Sequence, residues 1–127
     1  MTRSIATQAL LVLLSGAFVA AAQAPAKFML TSSDVHQGQT MPTANVFNGM
    51  GCTGTNVSPA LAWSGAPAGT KSFAVTIYDP DAPTGSGWWH WVVYNIPAAT
   101  TGLAAGAGDA SKNLLPAGAV QGNTDFG

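Results

Sequence analysis

The clearest alternation of apolar and polar positions lies in the middle of the chain, over residues 71–96. Phe73, Val75 and Ile77 occupy every second position, which predicts a β-strand with one buried face. Residues 91–96 are rich in aromatic and β-branched side chains, which favour strands. The pattern therefore predicts two strands close together in sequence, over residues 73–79 and 90–96.

Shorter strands are predicted over residues 28–31 and 60–64, and the Gly/Pro-rich residues 65–70 predict a turn that continues the chain as a meander. Residues 97–113 are rich in alanine and glycine, which indicates a surface loop with little to bury. All five acidic residues are aspartate, and the 15 glycines and eight prolines favour turns over long helices. The expected fold class is all-β, a sandwich or a barrel-like domain.

The N-terminus has the features of a cleaved export signal. Arg3 precedes an apolar run over residues 9–22, which is too short for a lasting membrane anchor and finishes in small residues. Cleavage after Ala22 is predicted, which divides the chain into a signal peptide, residues 1–22, and one domain, residues 23–127. The expected location is the periplasm or the extracellular medium.

Charge and cysteine content exclude several classes of partner. The formal net charge is −1, so the chain has no electrostatic footprint for nucleic acid or an anionic membrane. No second long apolar stretch follows the first, and no membrane span is predicted. Cys52 is the only cysteine, and a buried thiol, a free thiol, an intermolecular disulfide and a lost partner all stay open. The oligomeric state is not predicted.

Candidate chemistry is concentrated between the two central strands. Asp79 ends the first strand, His90 begins the second, and residues 80–89 form the loop between them. If the strands run in opposite directions, both side chains lie at the same end of a sheet. A protonated imidazole beside exposed loop amides binds phosphoryl oxygens through charge-assisted hydrogen bonds. Asp79 either orients His90 or meets a cationic group, and a zwitterionic head group satisfies both residues.

A purely structural interpretation of the same residues stays open. Trp88, Trp89 and Trp91 supply a stacking or cation–π wall in the functional interpretation. In the structural interpretation, Trp91 and one other tryptophan belong to the core. Asp79 then caps the turn, and His90 is a satisfied residue at the strand end.

Three other kinds of site are disfavoured by their context. Residues 49–54 match G-x-G-x-x-G, but no strong strand precedes them and no helix opens after them, so a dinucleotide is not expected. Ser86, His90 and Asp79 could form a hydrolase triad, yet Ser86 lies in a flexible stretch without the outer glycines of a nucleophile elbow. A metal site from Asp79, Asp81 and His90 lacks further ligands. No catalytic or metal-binding residue is predicted.

The loop and its flanks also carry a family resemblance. The matching stretches are Asp79-Pro80-Asp81-Ala82-Pro83, Gly85-Ser86-Gly87-Trp88-Trp89-His90-Trp91-Val92-Val93 and Asn95-Ile96-Pro97. They resemble the first signature block of the phosphatidylethanolamine-binding protein family, in its bacterial Raf-kinase-inhibitor-like branch. Residues 56–72 and 115–127 are similar to the parts of the family that flank this block.

The resemblance implies a β-sandwich with a small pocket at one edge. Such a pocket binds phosphate or phosphorylated and zwitterionic head groups without a metal or an organic cofactor. The residues of the family's pocket fall on Asp79, Asp81, Pro83 and His90 of this sequence. The implied function is that of a non-enzymatic binding protein. The alternative is an interaction module that inhibits a kinase or a protease, and a hydrolase using His90 ranks behind both.

The resemblance also implies an incomplete domain. In the family, the Asp-Phe-Gly segment is followed by a Gly/Pro-rich loop, a His-Arg pair, further strands and a C-terminal helix, whereas this sequence stops at Gly127. Many bacterial members carry a cysteine in that loop, which would be a partner for Cys52. Missing strands leave unpaired edges and a small core, so we expect the chain to fold poorly by itself.

Overall fold

The computed structural model describes residues 27–127 and consists mostly of strands. The strands are β1 (Met29–Thr31), β2 (Asn48–Gly49), β3 (Cys52–Thr53), β4 (Leu61–Ser64), β5 (Ser72–Asp79), β6 (Trp88–Pro97), β7 (Gly102–Leu103) and β8 (Val120–Gln121). Two short 3₁₀ helices span Thr43–Asn45 and Ala110–Lys112. The prediction of a strand-built domain is confirmed, while the predicted signal peptide lies outside the described residues. Within residues 27–127, no helix has the length and apolar character needed to cross a membrane.

The strands form two three-stranded antiparallel sheets and one two-stranded hairpin. The sheet orders are β1-β4-β7 and β5-β6-β8, and β2 pairs with β3. The predicted meander is wrong, because residues 65–70 lead from β4 in one sheet to β5 in the other. Gly65 makes this departure possible: its φ is +69°, and the backbone of Lys27 lies too close to admit a β-carbon.

The longest pairing joins β5 to β6 and is antiparallel, which meets the condition that the sequence-based prediction set for the two strands. It runs from Ser72 opposite Pro97 to Asp79 opposite Trp88. The second strand begins at Trp88, two residues earlier than expected, so the connecting loop spans residues 80–87. The pairing of Asp79 with Trp88 extends the ladder to the tip of the hairpin.

One hydrophobic core receives side chains from both three-stranded sheets. The buried residues are Trp63, Trp91, Val93, Ile96, Leu103 and Ala107. The alternating Phe73, Val75 and Ile77 of β5 pack against this cluster, as their spacing predicts. The rings of Trp63 and Phe73 are 5.4 Å apart and connect the two sheets. The sheets are therefore two layers around one core.

The prediction that residues 97–113 bury little is wrong. This segment contains β7 and the second 3₁₀ helix, and its Leu103 and Ala107 are buried in the core. Gly102 allows the approach, because a β-carbon there would collide with the carbonyl oxygen of Leu61 in β4. Small residues can thus mark a close strand contact as well as an open loop.

Candidate functional site

The candidate site lies where β5 ends and β6 begins. Asp79 is the last residue of β5 and pairs with Trp88, the first residue of β6. His90 follows two positions later on β6. The strand pairing therefore places Asp79 and His90 at the same end of the sheet.

A β-bulge occurs at His90. Ile77 of β5 pairs with Trp91, and the next residue, Tyr78, pairs with Trp89. His90 is thus the extra residue on β6, with no partner of its own in this register. Bulges of this kind redirect a side chain and are common next to binding sites.

His90 and Trp88 are two positions apart on β6, the spacing at which side chains of a strand share a face. Both rings contact Phe126, with centroid distances of 5.5 Å for His90 and 5.3 Å for Trp88. Trp88 in turn shares its face of the sheet with Asp79, its register partner. His90 is exposed, so its imidazole is accessible, and Asp79 is half-buried.

The first half of the loop is organised by the carboxylate of Asp79. Its Oδ1 accepts a hydrogen bond of 3.0 Å from the backbone amide of Asp81, as in an Asx-turn. The amide of Thr84 donates to the carbonyl oxygen of Ala82 over 2.7 Å. Asp81 and Pro83 are both exposed. The two predicted site residues of the loop thus lie on its open surface.

The second half of the loop is fixed to β5 by a tyrosine. The Tyr78 hydroxyl donates to the carbonyl oxygen of Ser86 over 2.7 Å. The Thr84 hydroxyl donates to the carbonyl oxygen of Gly87 over 2.6 Å. Gly87 has a φ of +73°, and a β-carbon there would collide with Tyr78 and Asp79. These contacts hold the loop next to the strand ends.

No hydrogen bond or ion pair joins Asp79 to His90 in the part of the chain that the structure describes. Among residues 27–127, the ion pair joins Lys112 to Asp109, and the Asp79 side chain accepts a hydrogen bond from the amide of Asp81. Asp79 therefore caps the turn, as in the structural interpretation of the sequence. His90 stays available to an external acceptor.

Sequence reasoning missed the contribution of the C-terminal segment. Asp125 binds the backbone of Trp89 in both directions: its Oδ2 accepts from the Trp89 amide over 2.6 Å, and its amide donates to the Trp89 carbonyl oxygen over 3.2 Å. Phe126 then lies between His90 and Phe47, whose ring is 4.6 Å away. The similarity of residues 115–127 to the family drew attention to this segment, but it did not predict that the segment contacts β6.

The three tryptophans of the loop region occupy different environments. Trp91 is buried in the core and its indole donates to Gln121 Oε1 over 3.3 Å. Trp89 is exposed and packs on Tyr78, with ring centroids 4.5 Å apart. Trp88 is half-buried beside the candidate site. The expected aromatic wall is therefore limited to Trp88 and the unforeseen Phe126.

Known proteins share this arrangement of sequence and fold. The model of the family described as phosphatidylethanolamine-binding protein matches residues 31–127. This chain belongs to the phosphatidylethanolamine-binding protein family. The UPF0098 protein YbcL of Escherichia coli (strain K12) is 57% identical over 111 residues, which are 87% of this chain and 61% of YbcL. The UPF0098 protein YbhB of the same strain is 58% identical over 98 residues, covering 77% of this chain and 61% of YbhB.

Solved structures of the phosphatidylethanolamine-binding protein family agree with the fold. The crystal structure of E. coli YbcL, described as a new member of the mammalian PEBP family, superposes with a TM-score of 0.77 at 60% identity. That match covers 80% of this chain and 62% of YbcL. A homologue from Chlamydia trachomatis matches with a TM-score of 0.63 at 31% identity, over 82% of this chain and 61% of its own. The chain thus spans about three fifths of the length of these relatives.

The remaining candidate sites differ from their sequence-based interpretations. Cys52 is exposed in the β2–β3 hairpin, so the buried-thiol interpretation is wrong. The G-x-G-x-x-G match is the turn of this hairpin, where Met50 and Gly51 both have positive φ. The residue types match the motif, but a hairpin turn is not the strand-to-helix geometry of a dinucleotide site. Within residues 27–127, no group of three or more His, Cys, Asp or Glu side chains is arranged to hold a metal ion.

The carboxylates with shifted pKa values lie away from the end of the sheet where β5 ends and β6 begins, which we call the β5–β6 rim. Hydrogen bonds from the Ala60 amide and the Ser33 hydroxyl lower the pKa of Asp34. Those from the side chain and amide of Ser111 lower the pKa of Asp109. Both shifts stabilise the charged form of a carboxylate. They indicate local structure rather than a poised acid or base.

Two surface concavities also lie away from this rim. One, of about 280 Å³, is lined by residues between Ala107 and Gln121, including Asp109. The other, of about 340 Å³, is lined by residues around His36 and Leu61. Neither contains any of the predicted site residues.

Proposed function

We propose that this chain is a non-enzymatic, metal-independent binding domain that holds phosphate or a phosphorylated head group at the β5–β6 rim. The supporting observations are the strand pairing, which brings Asp79 and His90 to the same end of the β5–β6 ladder, and the exposure of His90 at a β-bulge. In this proposal, His90 donates to a phosphoryl oxygen. Asp79, Asp81 and Pro83 form the opposite wall of the site.

Backbone amides of the loop are suitable as additional donors. In the described residues, the amides of Ala82 and Gly85 donate to no other backbone acceptor. Amides near a tight turn form concave anion-binding surfaces of this kind. The proposed oxyanion therefore has a histidine on one side and loop amides on the other.

The two loop carboxylates favour a zwitterionic ligand over a free anion. Asp79 and Asp81 repel a phosphate that carries no positive group, but they attract an ammonium attached to it. A phosphoethanolamine head group has both charges on a short linker. The name of the family, which refers to binding of phosphatidylethanolamine, is consistent with this ligand class.

The test is an NMR titration of the full chain with inorganic phosphate and with phosphoethanolamine. We expect the ring signals of His90 to shift with saturation, and phosphoethanolamine to saturate at the lower concentration. The second histidine, His36, is the internal control because it lies beside a separate concavity. His90→Ala should abolish binding, whereas His36→Ala should preserve it.

The proposal fails if the His90 signals stay constant up to millimolar ligand. Turnover of generic ester substrates that is lost in Ser86→Ala would support the hydrolase alternative. Specific inhibition of a kinase or protease without any response to phosphate would support the interaction alternative. Each of these outcomes contradicts a different part of the proposal.

Export is also part of the proposed function. The supporting feature is the Arg3-led apolar run over residues 9–22 with its small residues before Gln23. Expression of the full chain in E. coli, followed by N-terminal sequencing of the periplasmic fraction, should give Gln23 as the first residue. A cytoplasmic protein that begins with Met1 or Thr2 would contradict export.

A further inference from the structure

The indole nitrogen of Trp88 is a buried hydrogen-bond donor without an acceptor among residues 27–127. The two buried tryptophans are satisfied, since the Trp63 indole donates to the Thr100 carbonyl oxygen over 2.8 Å and the Trp91 indole donates to Gln121. Buried donors without partners are rare and destabilising in native proteins. A second unpartnered buried atom, Asn45 Oδ1, is an acceptor and cannot bind an anion. Trp88 therefore calls for a separate explanation.

The position of Trp88 connects this donor to the candidate site. Trp88 is the register partner of Asp79 and shares the Phe126 ring with His90. Phe126 has 41% of its surface exposed, so the ring that contacts Trp88 is itself partly open to solvent. The His90 imidazole and the Trp88 indole, which can both donate hydrogen bonds, thus contact the same partly exposed ring of Phe126.

We propose that the indole N–H of Trp88 is a second donor to the anion at His90, which becomes accessible when the Phe126 ring shifts. This inference rests on the proposed function and adds to it the orientation of the ligand. An indole N–H can donate but cannot accept, so it selects the phosphoryl end of a zwitterion. The ammonium end is then directed towards Asp79 and Asp81.

The indole signals of the ¹⁵N-labelled full chain test this assignment directly. The chain has four tryptophans, and contacts with the Phe126 ring identify the Trp88 signal. Titration with inorganic phosphate, at ionic strength held constant with chloride, should move the Trp88 N–H signal downfield in parallel with the His90 ring. The signals of Trp63 and Trp91 should stay in place because their hydrogen bonds are already made.

A pair of substitutions gives a second readout. Trp88→Phe keeps an aromatic ring but removes the N–H, and it should weaken phosphate binding about tenfold, as expected for one hydrogen bond to a charged group. Trp89→Phe is the matched control, since its ring packs on Tyr78 away from Phe126. The control should bind phosphate with unchanged affinity.

The outcomes separate this inference from the proposed function. A His90 shift with a static Trp88 indole signal overturns the role of Trp88 and leaves the phosphate site intact. Absence of both shifts overturns both proposals. If Trp88→Phe does not fold, the signal of the unmodified chain still decides, and wild-type affinity in a folded Trp88→Phe variant overturns the inference.

Discussion

At the scale of single residues, one aspartate joins the segment after β1 to the start of β4. Asp34 Oδ2 accepts the Ala60 amide over 2.7 Å, and Oδ1 accepts the Ser33 hydroxyl over 2.9 Å. Ser32 supports the same junction by donating to the Ala60 carbonyl oxygen over 2.6 Å. Hydrogen bonds to a carboxylate favour its ionised form, which is why the pKa of Asp34 is lowered.

The pH dependence of stability should contain a contribution from Asp34. Because its pKa in the folded state is below the ordinary value of 3.8, the stabilisation is complete above 3.8 and is lost as pH falls through the folded pKa. Asp34→Asn should therefore lower the melting temperature clearly at about pH 7 and much less at about pH 2. Thermal denaturation at both pH values measures the difference.

Asp81→Asn is the control for this prediction. The Asp81 carboxylate is exposed and accepts no recorded hydrogen bond within residues 27–127, so this variant should melt close to the unmodified chain. An Asp34→Asn penalty of equal size at both pH values would show that the amide, not the lost charge, is responsible. That result would contradict the electrostatic explanation.

A candidate site residue is easier to predict from the sequence when its contacts are close to it in the sequence. His90 and Asp79 could be chosen as candidates because a polar group at a strand end stands out in a sequence with only five acidic residues and two histidines. Phe126 could not, because its contacts with His90 and Phe47 join positions 36 and 79 residues away. Nothing local in the sequence specifies which apolar ring covers a distant polar one.

At the scale of secondary structure, the loop of the β5–β6 hairpin contains two glycines with similar backbone angles and different surroundings. Gly85 and Gly87 have φ values of +83° and +73°. No atom lies within 4 Å of a β-carbon built on Gly85. A β-carbon on Gly87 would meet the Tyr78 hydroxyl and would lie 2.7 Å from the Asp79 carbonyl oxygen.

This contrast predicts unequal effects of the same substitution. Gly85→Ala should cost about 1–2 kcal/mol, the penalty for a left-handed backbone alone. Gly87→Ala should cost at least about 1 kcal/mol more, since Tyr78 must also give up its bond to Ser86. Urea denaturation of the two variants measures the free energies of unfolding. Equal costs would contradict the tight packing of the loop on β5.

The elements differ in how clearly the sequence specifies them. The alternation of Phe73, Val75 and Ile77 identified β5, since a strand with one buried face repeats every two residues. The bulge at His90 left no such trace, because it depends on how β6 pairs with β5 rather than on β6 alone. The two-residue strand β7 was missed for the same reason, as Gly102 acts through its close contact with Leu61.

At the scale of the whole molecule, the core is small compared with the apolar surface. In the described residues, six side chains form the buried core, whereas eleven large hydrophobic side chains are exposed. Tyr78, Trp89, Tyr94 and Val120 are among the exposed ones, and their register places them on the outer face of the β5-β6-β8 sheet. A sheet face that contacts water is normally polar, so this face departs from the usual alternation of buried apolar and exposed polar residues.

Membership of the phosphatidylethanolamine-binding protein family was accessible from the sequence because the matching motifs lie in one continuous stretch. The two-layer arrangement was only partly accessible. Trp63 and Phe73 are close in sequence, yet nothing local shows that β4 and β5 lie in separate sheets. Gly65, where the chain leaves β4, approaches the backbone of Lys27 closely, and the hydrophobic pattern of the sequence does not predict this contact.

The most direct test of the central claim is a crystal structure of the full chain with phosphoethanolamine. We predict that the phosphoryl group lies within hydrogen-bond distance of the His90 imidazole, with the ammonium directed towards Asp79 and Asp81. Density for the ligand only in the concavity beside Asp109, or only in the one beside His36, would contradict the account.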